Sequence, residues 1–207
     1  MQIQAEDYLR DPCGASSLPF WKTERLVLPD NMSVLREDSF PAGEPGGRDE
    51  PYFKLLHDLR QIPHRTLPPG FEPAACGIEE YAAHINACYT RERVSPEELA
   101  ACSSHPGYDP LLWLAIRERA SRRLVASGIG EIDPRIGEGI LEWIQVSPAY
   151  RRRGLGQVLV CRLLEHMRGK ARFVTVSGRL NSPSQPLALY LSCGFQHPVI
   201  WHVLTRD

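Results

Sequence analysis

The run Arg151-Arg152-Arg153-Gly154-Leu155-Gly156 has the residue types to hold a phosphate-rich ligand. Three guanidinium groups offer charge-assisted donors to phosphate. Two glycines let a ligand come close to the backbone where a Cβ would stand in the way. If a strand ends near Val146 and a helix opens at Gly154, the free N–H groups of the first helical turn and the helix dipole add to that anion site. Other glycine patterns fail as nucleotide loops. Gly128-Ile-Gly130-Glu-Ile-Asp133 has Asp where a dinucleotide fingerprint needs its third glycine, and no Gly-Lys-Ser/Thr sequence exists.

Two carboxylates are the next candidates. Glu142 stands on a mostly apolar run from Ile140 to Val146, where a carboxylate is costly to bury without a role or a partner. Strict alternation puts Glu142, Ile144 and Val146 on one face. Glu131, on the preceding predicted strand, is its rival. Either could take a proton or hold a substrate cation, and a structural carboxylate paired with an arginine is the bland alternative. His84, His105, His166 and His197 have no partners at metal-ligand spacing, so no metal is expected. The cysteines (Cys13, Cys76, Cys88, Cys102, Cys161 and Cys193) lie far apart. They read as reduced thiols with no activating neighbourhood.

Positioning these groups requires a strand, the arginine turn and then a helix. Leu155, Leu159, Leu163 and Met167 fall four apart and predict a helix from Arg152 or Arg153 to about Met167. Alternation and turn residues predict strands over residues 71–76, 111–117, 124–133, 139–146 and 173–177, with closing strands over 195–204. Helices are expected over 78–88, from Ser95-Pro96-Glu97-Glu98 to about Cys102, and over 187–192, stopped by Cys193-Gly194. Before residue 70 the texture changes. Pro and Gly crowd residues 41–47 and 67–70, yet Phe20, Trp21, Leu26, Val27 and Leu28 are too apolar for a solvated tail. Residues 26–28 and 32–36 could form a hairpin, and residues 51–61 read as a short helix opened by Pro51. The expected organisation is a Pro/Gly-rich arm, residues 1–69, packed on a domain of residues 70–207.

With 207 residues and 43% hydrophobic content, the chain supports one sizeable core. Basic and acidic side chains number 24 and 25, which excludes a global attraction to nucleic acid or to an anionic membrane. The start, Met1-Gln-Ile-Gln-Ala-Glu-Asp, has no secretory character, and the longest apolar run, residues 111–116, is too short to span a bilayer. A cytoplasmic enzyme is the expectation.

The residues from Val146 to Gly156, Val-Ser-Pro-Ala-Tyr-Arg-Arg-Arg-Gly-Leu-Gly, resemble the first signature of the GNAT superfamily of acetyl-CoA-dependent N-acetyltransferases: V-x-P-x-x-R, then R-x-x-G-x-G opening a helix. Leu187-Ala-Leu-Tyr-Leu-Ser-Cys-Gly-Phe195 resembles its second signature, A-x-x-L-Y-x-x-x-G-F. The close of the chain, through Trp201-His202-Val203, is similar to a bacterial subgroup of unassigned substrate. The resemblance implies an α/β fold (α+β, three layers) with a mixed, mostly antiparallel central sheet flanked by helices, here with an N-terminal extension. It implies acetyl-CoA as donor and CoA as product, held by Arg151, Arg152, Arg153, Gly154, Leu155, Gly156 and Gln157. Backbone N–H groups near Gln145 and Val146 would polarise the thioester carbonyl. The hydroxyl of Tyr190 would point at the CoA sulfur as general acid, and a phenol arrives protonated at neutral pH. The superfamily places an Asn seven residues before that Tyr. Here the position is Pro183, which leaves Asn181, nine before, as the substitute contact. The implied reaction moves an acetyl group directly to a primary amine, on a small molecule or a peptide, through a tetrahedral intermediate. Glu142 is the first candidate for the base. Glu131, Trp21, Trp201 and His202 are candidates for the acceptor mouth, and an arm packed behind the sheet or used in a homodimer is the alternative for residues 1–69. The competing functional reading is a non-catalytic acyl-CoA-binding regulatory module.

Overall fold

The computed structural model describes residues 3–40 and 47–206, so most of the Pro/Gly-rich stretch, residues 41–46, lies outside the described residues. In chain order the helices are α1 (Ala5–Arg10), α2 (Phe20–Thr23), α3 (Ile78–Cys88), α4 (Pro96–Cys102), α5 (Leu155–Met167) and α6 (Pro186–Ser192). The strands are β1 (Met32–Arg36), β2 (Arg48–His57), β3 (Phe71–Ala74), β4 (Trp113–Glu118), β5 (Leu124–Asp133), β6 (Glu138–Val146), β7 (Phe173–Arg179) and β8 (Gln196–Thr205). They form one sheet in the order β1-β8-β2-β7-β6-β5-β4-β3. Among the described residues, only the β6–β7 strand neighbours are parallel. This is the mixed, mostly antiparallel sheet between helices that was expected.

Helix α5 forms because its apolar residues repeat with the helical period, and Leu155, Leu159, Leu163 and Met167 are all buried. It lies close on the sheet: a Cβ at Gly130 would come within 2.6 Å of Met167 Cε, and one at Gly128 within 3.2 Å of Leu163 Cδ1. The glycines that fail as a nucleotide loop are thus where the helix approaches β5. On the opposite face, α3 and α4 cover β4 and β5 through Tyr81, Ile85, Leu99, Ala115 and Ile129. Helix α4 opens with the expected capping box between Ser95 and Glu98, with Pro96 in its first turn.

The N-terminal segment covers the rest of that second face. Lys54 of β2 is fully buried, and its ammonium donates to Tyr8 Oη (2.9 Å) and to the carbonyls of Pro12 (2.8 Å), Ser16 (2.9 Å) and Leu18 (2.7 Å). Glu138 of β6, also fully buried, accepts from Tyr8 Oη (2.6 Å), Thr175 Oγ1 (2.6 Å) and the Phe20 amide (2.9 Å). A buried ion is tolerable only when its hydrogen-bonding capacity is met in this way. The pair therefore fixes where α1 and α2 sit on the sheet.

Two expectations for the first third of the chain are corrected. Residues 51–61 do not form a helix. Residues 51–57 belong to β2, between β7 and β8, with Phe53 and Leu55 entering the α5-side core and Lys54 and Leu56 meeting the N-terminal segment. That alternation is a strand period, and Pro51, read as the first helical residue, is instead part of the strand. Residues 26–28 do not pair with 32–36 either. They are irregular, with Leu26 and Val27 exposed, and β1 pairs with β8 instead. Asn31 clamps Arg206 through its side chain (3.0 Å) and its carbonyl (2.8 Å), which fixes that register. Residues 196–205 form one strand rather than several.

Candidate active site

Strands β6 and β7 pair only from Glu138↔Phe173 to Leu141↔Val176. Beyond that point β6 follows β5 as far as Val146, while β7 follows β2 to Arg179. The two strands diverge, leaving an opening inside the sheet at Glu142. The pairing of β6 with β5 also shifts by one residue, from Gly130↔Leu141 to Gly128↔Ile144. This bulge breaks the alternation on which the shared face of Glu142, Ile144 and Val146 rested. Ile144 and Val146 pack on the α5 side, whereas Glu142 points to the second face and meets Lys22 of α2.

The edges of the opening follow from the same strand. Ile144 O accepts from Tyr89 Oη (3.2 Å), Val146 O accepts from Arg151 Nε (3.2 Å), and the Ser147 amide donates to Val125 O (2.9 Å). Antiparallel backbone groups alternate in direction, so the Ile144 and Val146 peptides face the opening and the Gln145 peptide faces β5. The Gln145 side chain is buried against Ser127. Ser127 and Ser147 both bond His84, whose burial holds its pKa down at about 4, so the ring is a neutral link between α3 and the end of β6.

After β6 the chain turns through exposed Arg151, Arg152 and Arg153 into α5. Gly154 has φ +81° and open space where a Cβ would stand, so the position needs glycine and leaves the first turn of α5 uncovered. A turn with three exposed guanidinium groups and the uncovered helix start fits a pyrophosphate. Gly156 has a packing reason as well, since its Cβ would meet Leu189 Cδ2 of α6 at 3.2 Å. Gln157 ties α5 to α6 by donating to Ser192 Oγ (2.8 Å). Asn181 is exposed in the loop before α6.

Tyr190 projects from α6 into the core, with its ring 6.1 Å from Phe53 and 5.6 Å from Phe195. Burial first, then the neighbouring Tyr89 and Cys193, push its pKa above that of an ordinary phenol. Among the described residues no group accepts a hydrogen bond from its hydroxyl. Tyr89, at the end of α3, is the phenol that sequence reading missed, and burial pushes its pKa up to about 12. Its position on the opening depends on how α3 lies across β6, which no local pattern encodes.

Glu131 and Glu142 come together on the second face, with Lys22 between the strands and the solvent. Lys22 Nζ donates to Glu142 Oε1 at 2.6 Å, and these side chains keep 32% and 18% of their exposure. The partner of Glu142 is thus a lysine from the N-terminal segment, where an arginine had been the alternative. Glu131 is 7% exposed, and its Oε2 has no hydrogen-bond partner. Burial first, then repulsion from Glu142, push its pKa up to about 7, against a smaller opposing pull from Lys22. Trp21, next to Lys22, packs on His105 with ring centroids 4.4 Å apart and the planes tilted by 38°. The other two acceptor-mouth candidates lie on β8, beyond β7 and β2. Trp201 Nε1 donates to Cys13 O (2.9 Å), and His202 bonds Asp49 (2.9 Å) and stacks on Phe40. Both are engaged in holding neighbouring segments.

The family described as acetyltransferase (GNAT) domain matches residues 109–197, which include β6, the arginine turn, α5 and α6. That match, over less than half of the chain, shows a likeness to the GNAT domain across those residues. Glucosamine 6-phosphate N-acetyltransferase 1 of Oryza sativa subsp. japonica is 36% identical over 104 residues, which span 48% of this chain and 58% of the rice protein. A GCN5-related N-acetyltransferase from Sphaerobacter thermophilus superposes with a TM-score of 0.61 at 23% identity, over 78% of this chain and 54% of that one. A GCN5-related N-acetyltransferase from Kribbella flavida gives a TM-score of 0.52 at 17% identity, over 85% and 68% of the two chains. At these identities the likeness is one of fold. The chain thus spans little more than half the length of the rice relative.

Proposed function

We propose that this chain transfers an acetyl group from acetyl-CoA directly to a primary amine of a small molecule or a peptide. The observation that carries the reading is the pair Glu131 and Glu142, two carboxylates in unlike environments beside the opening between β6 and β7. Glu142 already holds an ammonium, that of Lys22, and would hold the acceptor's in the same way. Glu131, buried and titrating near neutrality, is suited to take the proton that a protonated amine must lose before it can attack. On the other side of β6, the Ile144 and Val146 amides would steady the carbonyl oxygen. Tyr190, kept protonated by burial, would return a proton to the leaving sulfur. The arginine turn and the start of α5 would bind the pyrophosphate of the donor, whose thioester supplies the acetyl group. Residues 1–69 would shape the acceptor side through α2. The rice relative's name supports an amine acceptor in general, and the two carboxylates favour a cationic one.

The test is thiol release from acetyl-CoA across a panel of primary amines, polyamines and short peptides. Turnover that is abolished in Glu131→Gln supports the reading. CoA binding by calorimetry with no amine giving turnover would leave the regulatory acyl-CoA-binding module as the function.

A further inference from the structure

The chain has three lysines, Lys22, Lys54 and Lys170. Lys54 is fully buried among carbonyls and Tyr8, and Lys170 sits on Asp109 (2.6 Å). Only the ammonium of Lys22 rests on a carboxylate of the candidate site. It is placed there by more than one contact. The Phe20 amide is bonded to buried Glu138, and Arg135 lies 5.1 Å over the Phe20 ring while also pairing with Glu24. Thr23 bonds Ser16 (2.7 Å), and the Trp21 ring packs at a tilt on His105. Ser17 O accepts from Ser177 Oγ of β7 (3.0 Å), on the first β7 residue past its last pair with β6. Residues 17–22 therefore run from the β7 side of the opening to the β6 side and end with a primary amine on Glu142.

We propose that Lys22 is an acetylation site of this chain's own active site: its ε-amine is an acceptor in cis. The inference rests on the acetyltransfer reading above. In the step, the Lys22 ammonium loses a proton to the Glu131 carboxylate, and the free amine attacks the acetyl carbon of acetyl-CoA. The N–C bond forms and the C–S bond breaks. The electron pair leaves with sulfur, the nitrogen sheds its second proton, and the sulfur takes one up and departs as the CoA thiol. Acetylation removes the charge that pairs with Glu142, so the modified segment no longer occupies the place where an external ammonium would bind. The first turnover would open the site to other acceptors.

The experiment is peptide mass spectrometry of the purified chain incubated with acetyl-CoA over a range of protein concentrations. One acetyl group on Lys22, none on Lys170, and a first-order rate independent of protein concentration are expected. Modification of Lys22 should be lost in Glu131→Gln. Equal labelling of Lys22 and Lys170, or a rate that rises with protein concentration, would overturn acetylation in cis. Acetylation of an external amine with Lys22 left unmodified would overturn this inference alone; no transfer to any amine would overturn the reading beneath it. A second measurement needs no acetyl-CoA. Hydrogen exchange over residues 16–25 should be faster in Lys22→Gln than in the parent chain, and unchanged exchange would show that the charge pair does not hold the segment down.

Discussion

Replacing Glu131 with Gln gives the most direct test of the candidate site, because it reads on stability as well as on catalysis. In the folded chain Glu131 titrates at about 7, against its ordinary value of 4.5. The folded state therefore binds this proton more tightly than the unfolded state does. Stability falls as pH rises through that window and levels off above 7. The span from 4.5 to about 7, at about 1.4 kcal/mol per pH unit, amounts to about 3 kcal/mol. Little screening reduces it, since the residue is 7% exposed. A glutamine has no such titration. Denaturant unfolding of both proteins from pH 4.5 to 8.5 should show the stability difference shifting towards the variant by about 3 kcal/mol, with most of the change between pH 5 and 7. Whatever the buried amide itself costs is constant with pH and drops out. The same variant should lose ~10²–10⁴-fold in kcat, the usual contribution of a general base, and the parent's rate should rise through a pH near 7. A stability difference that does not vary with pH would refute the argument, whatever happens to activity.

Three further outcomes are expected. Arg152→Glu with Arg153→Glu, both exposed, should weaken CoA binding by at least about tenfold in calorimetry, consistent with one or more lost charge-assisted contacts, while leaving the unfolding midpoint unchanged. Tyr190→Phe should lower kcat ~10²-fold or more with little change in KM for acetyl-CoA, because a proton donated to the leaving group acts only in the transition state; a loss below about threefold would make Tyr190 a packing residue. Lys54→Ala strips four oxygens of their donor and leaves Glu138 buried without its counter-charge, at a cost of about 3–5 kcal/mol. Its Tm should fall by roughly 10 °C, and limited proteolysis should cut first within residues 3–25.

How much of this the sequence shows depends on how local the cause is. The arginine turn, α5 and the α4 capping box were legible because each rests on residues within one or two turns of one another. Tyr190 is a candidate only through a resemblance that covers α6. The bulge in β6 was not, since one inserted residue leaves no mark on an apolar run, yet it turns Glu142 away from Ile144. Nor was the Lys22–Glu142 pair, which joins residues on the N-terminal segment and on β6 with nothing local to either that records the other. Strand β2 was misread for a related reason. Its buried Lys54 makes sense only beside Tyr8, Pro12, Ser16 and Leu18. The same contacts bear on truncation: removing residues 1–48 would leave Lys54 with none of them, so point changes in α2 are the cleaner probe of acceptor recognition.

The place of β2 has a consequence for how the chain is made. This strand, from the first third of the polypeptide, pairs on one side with β7 and on the other with β8, both in the last quarter. During synthesis Phe53 and Leu55 must wait, unpaired, until β7 and β8 have left the ribosome. Contacts of such long sequence separation slow folding and leave strand edges open to wrong partners. The charge on Lys54 is a safeguard for that interval, since an unpaired strand carrying a solvated lysine is a poor template for aggregation.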